Sequence, residues 1–340
     1  MTAAAPLRAA ITGTGYAMPS IIRKNDDPIF DYIKTHDPTH GQLFFGYKER
    51  RVLGPGESIN PYMVQAAQAA LADANVAPAD VDLLMGFTSI SEYLTPNALT
   101  YVHAQLGLPA TTWILPIHAD YSNHSASLLL ADAMITGGRA QNVLIVCGSN
   151  WTQNVSYLTP PCVSIGDGAG AAVVSATRDA SKFRVVDYEV DVDSSGYGGM
   201  FTASDAEKAP KMQGPPGDPA NQSFSSPYFH LTPEGVIEFQ QFGTQAPPKV
   251  IATLLARNAL DAKDVAVVCY QASMLLINAW EKAVQPKQML HTLEKFGNIV
   301  VASIAVNLAY RMKEVETDHV VLISVGAEPH AAGVLLRRNG

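Results

Sequence analysis

Apolar runs with little polar alternation dominate the pattern of this chain. Residues 81–87 (VDLLMGF), 142–147 (NVLIVC), 265–270 (VAVVCY) and 319–325 (HVVLISV) each read as a strand covered on both faces. Shorter runs predict strands at 9–16, 113–117 and 332–337, and a glycine turn leading into a strand over 164–175. Helical spacing predicts helices over 60–74, with Asn60 as cap ahead of Pro61, and over 97–106, 248–258 and 274–283. Two further helices are unusually apolar and rich in small residues: one following 113–123, and one opening at Gly297-Asn298 and running through Met312. Strands alternating with helices predict an α/β fold. Residues 191–233 break the pattern. They are rich in Ser, Gly, Pro and Asp, without apolar period, and read as an irregular loop or lid.

The pattern repeats. Residues 69–89 lie on 253–273 without a gap, with Leu71/Leu255, Ala72/Ala256, Asp80/Asp264, Val81/Val265 and Ser89/Ser273 identical. The run at Asn142 lies on that at His319, an offset of 319 − 142 = 177, and that offset carries Tyr121 onto Asn298. Both stand at the start of an apolar small-residue helix. The chain therefore divides into two halves, 1–178 and 179–340, each aiming a helix N-terminus at a common centre. Such a terminus presents unpaired N–H groups and favours negative charge.

Composition narrows the classes. Of 340 residues 47% are apolar and 16% charged, and the net charge is −8. Low charge points to much buried surface or an oligomer interface. An acidic balance without a basic cluster argues against nucleic acid or an anionic membrane as partner. No apolar run reaches the roughly 18 residues of a membrane span, and the first residues lack a signal-type apolar region. Cys147, Cys162 and Cys269 show no metal spacing and read as reduced core thiols, so no metal site and a cytoplasmic setting are expected.

Several motifs resemble the type III β-ketoacyl-acyl-carrier-protein synthases of the thiolase superfamily, over nearly the whole chain. They are Ile11-Thr12-Gly13-Thr14-Gly15-Tyr16, Gly46-Tyr47-Lys48-Glu49-Arg50-Arg51, Ala131-Asp132-Ala133, Gly166-Asp167-Gly168-Ala169-Gly170-Ala171-Ala172, Gln271-Ala272, and Gly297-Asn298 with Ala302-Ser303. The resemblance implies a duplicated five-layer αβαβα fold, a homodimer or a heterodimer with a paralogue, and an acyl thioester on coenzyme A or carrier protein as substrate with no tightly bound cofactor. It also implies a Cys-His-Asn set: a thiolate at a helix N-terminus that takes the acyl group, and an oxyanion held by backbone N–H groups.

This chain departs from that set. Matched to the family motifs, the cysteine position is Tyr121, the histidine position Tyr270, and Asn298 alone is retained. The carrier-docking arginine becomes Leu275, and the adenine-sandwiching positions fall near His40 and Phe44. A phenol, with pKa about 10 against about 8.5 for a thiol, is a poor substitute nucleophile. Ser122 would need a base, with His118 or His124 nearest in sequence, and reads more simply as a helix cap. His330, Glu328 and Asp120 would flank the centre. Asp167 reads as structural, holding the glycine turn. Two expectations stand: a 3-oxoacyl-ACP synthase III-like acyltransferase of specialised metabolism working without a cysteine acyl-enzyme, or a silent subunit pairing with an active paralogue.

Overall fold

In the computed structural model the described residues are 7–37, 40–93, 95–203, 228–327 and 329–338. The strands of the first half are β1 (Arg8–Ala17), β2 (Ile21–Lys24), β3 (Glu49–Val52), β4 (Leu83–Thr88), β5 (Trp113–Pro116), β6 (Asn142–Ser149) and β7 (Gly168–Thr177). Those of the second are β8 (Arg184–Val192), β9 (Met200–Ala203), β10 (Tyr228–Leu231), β11 (Val265–Cys269), β12 (Gln288–Leu290), β13 (His319–Val325) and β14 (His330–Arg337).

Two five-stranded sheets form the frame. One runs β1-β7-β6-β4-β5 and the other β8-β14-β13-β11-β12. Each has two antiparallel pairings followed by two parallel ones, in the same order. The repeat seen in the sequence is thus a repeat of topology. Its two offsets together miss the observed register by one residue: applied to the Leu83–Val143 pair they would set Val267 opposite Val320, whereas Val267 pairs with Val321.

The unalternating apolar runs have a direct cause. In β4 and β6, Leu83, Met85, Val143 and Ile145 face one core while Leu84, Leu144 and Val146 face another. The helix Asn60–Ala74 covers the outer face of the first sheet, and Pro233–Arg257 covers the second. Asn123–Thr136 and Ser303–Arg311 lie between the sheets and touch both, which completes five layers. Close packing there demands small side chains: a Cβ on Gly170 would sit 2.7 Å from Ala305 Cβ and from Val306 N. No described helix is long and apolar enough to cross a membrane.

Three expectations need correction. The helical pattern that resumes at Gly235 and the helix predicted over 248–258 are one continuous helix, with Pro247 and Pro248 inside it. Proline supplies no N–H to the carbonyl four residues back. For Pro247 that carbonyl is Gly243 O, and the Trp280 indole N–H takes it at 2.6 Å. Asn60 is not the cap of its helix; Ile59 holds that place. The region 191–233 is not wholly irregular: Met200–Ala203 pairs antiparallel with Tyr228–Leu231, and residues 204–227 lie outside the described ones.

Candidate active site

The site forms where the two central helices begin. Leaving β5, Ile117 donates its N–H to Gly86 O at 2.8 Å. The chain then turns sharply through Asp120 (φ +34°) and Tyr121 (φ +65°). Positive φ is costly for a bulky residue, on the order of 1–3 kcal/mol, and persists only where surroundings impose it. Here they do. The Asn123 amide donates to Ile117 O at 2.9 Å. The Asp120 carboxylate accepts the Ala327 N–H at 2.8 Å. Ser122 Oγ lies 2.7 Å from both Ser324 Oγ and His330 Nε2. The turn is clamped to the end of β13 and the start of β14, more than 200 residues along the chain.

Opposite, Tyr270 follows β11 and donates its N–H to Ile323 O at 2.8 Å. Gln271 next to it bonds Gly297 O (2.5 Å) and Thr292 N (2.9 Å), and Ala272 O accepts the Tyr47 hydroxyl at 2.8 Å. Asn298 is held by its backbone to Ser164 O and Gly166 N, and its Oδ1 accepts the Val300 N–H at 3.0 Å. It stands five residues before its α-helix, with a short 3-10 turn between, so its match to Tyr121 is approximate.

Tyr121, Tyr270 and Asn298 meet. The two rings lie parallel, centroids 5.7 Å apart and planes 3° from coincidence. Burial holds the Tyr121 phenol well above its usual pKa of 10, with Tyr270 and Asp120 adding to the shift. Burial does the same to Tyr270, against an opposing hydrogen bond from the Asn298 side chain. Both phenols are therefore neutral at physiological pH, a state in which a hydroxyl can donate a hydrogen bond.

The three residues border an apolar chamber of about 180 Å³, whose wall also includes Trp151, Phe229 and Phe239. A second chamber, about 660 Å³, lies on the other side of Tyr121 and includes His118, Asp120 and Asn123 in its wall. Tyr121, Trp151 and Met200 border both. Met200 and Phe229 come from the β9–β10 pair, so part of the stretch read as a lid does wall the site. Trp151 and Phe239 were not singled out from sequence. Their apolar character marks core and chamber wall alike.

The auxiliary residues separate. Ser122 occupies the N-cap position, yet its hydroxyl makes no cap bond and serves His330 and Ser324 instead. His330, not His118 or His124, is its imidazole partner. His118 is exposed and meets Phe87 edge-on. His124 is buried in the core and borders neither chamber. Glu328 lies outside the described residues. Leu275 is 62% exposed, and Phe44 packs edge-on against Phe30. All three cysteines are buried away from both chambers, and burial raises each thiol pKa. Asp167 is buried and accepts from Leu53 N, Thr152 N and Thr152 Oγ1, which ties down the glycine turn.

His124 has a consequence for stability. Burial lowers its pKa from 6.5 to about 4, and neither ring nitrogen has a partner among the described residues. Between those values the unfolded chain binds a proton that the folded chain refuses. Stability is then intact above pH 6.5 and falls as the pH drops toward 4, by about 3 kcal/mol. Asp167, raised by burial to about 6, works with the opposite sign over an overlapping window. Comparison with His124→Leu cancels that contribution. In urea unfolding at pH 7 and pH 4, the wild type should lose about 3 kcal/mol more than the variant. Equal losses would show that His124 is not buried neutral.

The 3-oxoacyl-[acyl-carrier-protein] synthase III family profile matches residues 119–194, from the turn and helix of the site through the glycine turn. A β-ketoacyl-[acyl-carrier-protein] synthase III of Nitratidesulfovibrio vulgaris is 26% identical over 313 residues, covering 91% of this chain and 90% of its own. A Streptomyces coelicolor protein of that name is 27% identical over 336 residues, covering 96% and 98%. The crystal structure of 3-oxoacyl-[acyl-carrier-protein] synthase III from Aquifex aeolicus superposes with a TM-score of 0.80 at 25% identity, over 97% of this chain and 99% of that one. The site motif, the alignment along nearly the full length and the shared thiolase-type fold agree in making the chain similar to the 3-oxoacyl-acyl-carrier-protein synthase III proteins.

Proposed function

We propose that this protein is an acyltransferase acting on an acyl thioester, on coenzyme A or a carrier protein, without a cysteine acyl-enzyme. The observation that supports this reading is the chemistry of Tyr121: a neutral phenol stands at the turn before the central helix, and every cysteine is buried elsewhere. Tyr121, Tyr270 and Asn298 take the family's Cys, His and Asn positions in this reading. A neutral donor set of this kind can orient and polarise a thioester carbonyl. The acceptor's hydroxyl or amine then adds to the carbonyl carbon. The C–S bond breaks, and the leaving thiolate takes up the acceptor's proton, relayed by a base such as His118. The halves 1–178 and 179–340 each supply one wall of the site. A specialised-metabolite pathway is the setting that the altered set suggests. Buried unpaired thiols agree with a reducing cytoplasm, and the low charge agrees with a dimer.

One observation favours a second reading, a silent subunit that completes an active paralogue. The Ala327 N–H, in the loop from which the family draws an oxyanion donor, is taken by the Asp120 carboxylate. The test joins binding and mass. The purified chain should bind butanoyl-CoA and release CoA to added amine and hydroxyl acceptors, with no adduct in the intact mass. Asn298→Ala should lower kcat/KM by about 100-fold and Tyr270→Phe by about 10-fold. An adduct on Tyr121 or Ser122 would replace the direct-transfer mechanism. Activity only in stoichiometric complex with a cysteine-bearing paralogue would establish the silent subunit.

A further inference from the structure

We propose that the larger chamber binds the acceptor as a protonated amine, with the Asp120 carboxylate as its counter-ion, and that the transfer forms an amide. This deepens the acyltransferase reading and rests on it for the thioester. The two chambers that meet at Tyr121 differ in charge. No charged side chain stands among the described residues that wall the smaller one, which suits the uncharged thioester group. The larger has Asp120 in its wall and, among the described residues, no lysine or arginine. Four aromatic residues, Phe87, Tyr121, Trp151 and Phe201, border the same space.

The carboxylate is fixed in place. Its backbone is held at φ +34°, and it accepts the Ala327 N–H at 2.8 Å. A carboxylate has room for several bonds, so this one anchors it without exhausting it. Its charge is felt at the centre: beyond the effect of burial, it raises the pKa of both the Tyr121 and the Tyr270 phenols. A field that disfavours phenolate there favours a cation. Aromatic rings add to that preference, since a ring face attracts an ammonium group. The net charge of −8 acts in the same direction at longer range. A carboxylate-bearing co-substrate would meet like charge, and a neutral alcohol would gain a hydrogen bond alone. At about 660 Å³ the chamber is of small-molecule size. The bound ammonium gives one proton to His118, in the same wall. The neutral amine then adds to the thioester carbonyl carbon, which places positive charge on nitrogen beside Asp120. The C–N bond forms, the C–S bond breaks, and the second nitrogen proton goes to the leaving thiolate.

Calorimetric titration of the full-length chain at neutral pH compares benzylamine, benzyl alcohol and benzoate, which share one ring and differ in the polar group. Benzylamine should bind about tenfold more tightly than benzyl alcohol, and benzoate more weakly than either. Asp120→Asn keeps an oxygen for the Ala327 N–H and removes the charge, so it should erase the preference for the amine. Raised salt should weaken benzylamine and leave benzyl alcohol unchanged, a readout that needs no variant. Phe87→Leu should reduce the preference by several-fold, with melting temperature as the check on folding. Equal binding of amine and alcohol would overturn the inference, as would an amine preference that survives Asp120→Asn or is indifferent to salt. Butanoyl-CoA added with benzylamine should release CoA and yield N-benzylbutanamide. Release of CoA to benzyl alcohol but not to benzylamine would overturn the inference and leave the acyltransferase reading standing. If benzylamine binds through Asp120 but butanoyl-CoA does not bind, the amine site stands and the acyltransferase reading fails.

Discussion

Gly86→Ala is expected to prevent the protein from folding to a soluble form, or to lower its stability by more than about 4 kcal/mol. Gly86 lies inside β4 with φ +122°, a backbone state closed to alanine without strain. A Cβ there would also sit 2.0 Å from Val146 O and 2.7 Å from its carbonyl carbon on the neighbouring strand. Neither contact can be relieved by a side-chain rotation, since both partners are backbone at the centre of a sheet packed on both faces. The damage reaches the site directly, because Gly86 O anchors Ile117 at the start of the Tyr121 turn. Soluble yield and the urea midpoint measure the effect. A soluble variant with a midpoint near the wild type would show that β4 and β6 can separate at small cost.

Arg50→Met should cost about 3 kcal/mol, although it replaces a buried cation by an apolar side chain of similar length. Exchanging buried charge for packing is often neutral when both partners of an ion pair are removed. Arg50 is different, because its partners are neutral and stay behind. Its Nε donates to Val163 O at 2.6 Å and its Nη1 to Asn25 Oδ1 at 2.5 Å. Val163 O would be left in a buried interior, at roughly 1–3 kcal/mol before relaxation, and Asn25 Oδ1, which is only part-buried, at less. The guanidinium also lies among the rings of Tyr47, Phe30 and Phe44, 5.1 to 5.7 Å from their centroids. Burial lowers its pKa to about 10, so it remains cationic at neutral pH. The side chain supports the site from below, since Gly297, next to Asn298, has no room for a Cβ beside Arg50 Cγ. Urea unfolding gives the stability loss, and weaker butanoyl-CoA binding would report the loosened Asn298 loop. Unchanged stability would mean that the methionine repacks and that water reaches both acceptors.

The sequence alone determined a good deal. Apolar runs without alternation announced sheets buried on both faces, because strand period and burial are local properties written residue by residue. The internal repeat announced two equivalent sheets, and their common strand order bears that out. The motifs singled out Tyr121, Tyr270 and Asn298, and these three positions meet at one chamber in the fold.

What tertiary structure decided lies wherever distant segments meet. No periodicity joins Ser122 to His330, 208 residues apart, or Trp280 to the carbonyl that Pro247 leaves open in a helix read from sequence as starting near residue 248. The nearest histidine in sequence, His124, turns into the core, because two residues into a helix is a change of direction of about 200°. The same holds for the two chambers. Their walls come from five or more separate segments, and Tyr121 divides them only because its backbone is held at φ +65° by contacts from the other half of the chain. Local pattern specifies which surfaces are apolar; which of them meet follows from packing the whole chain at once.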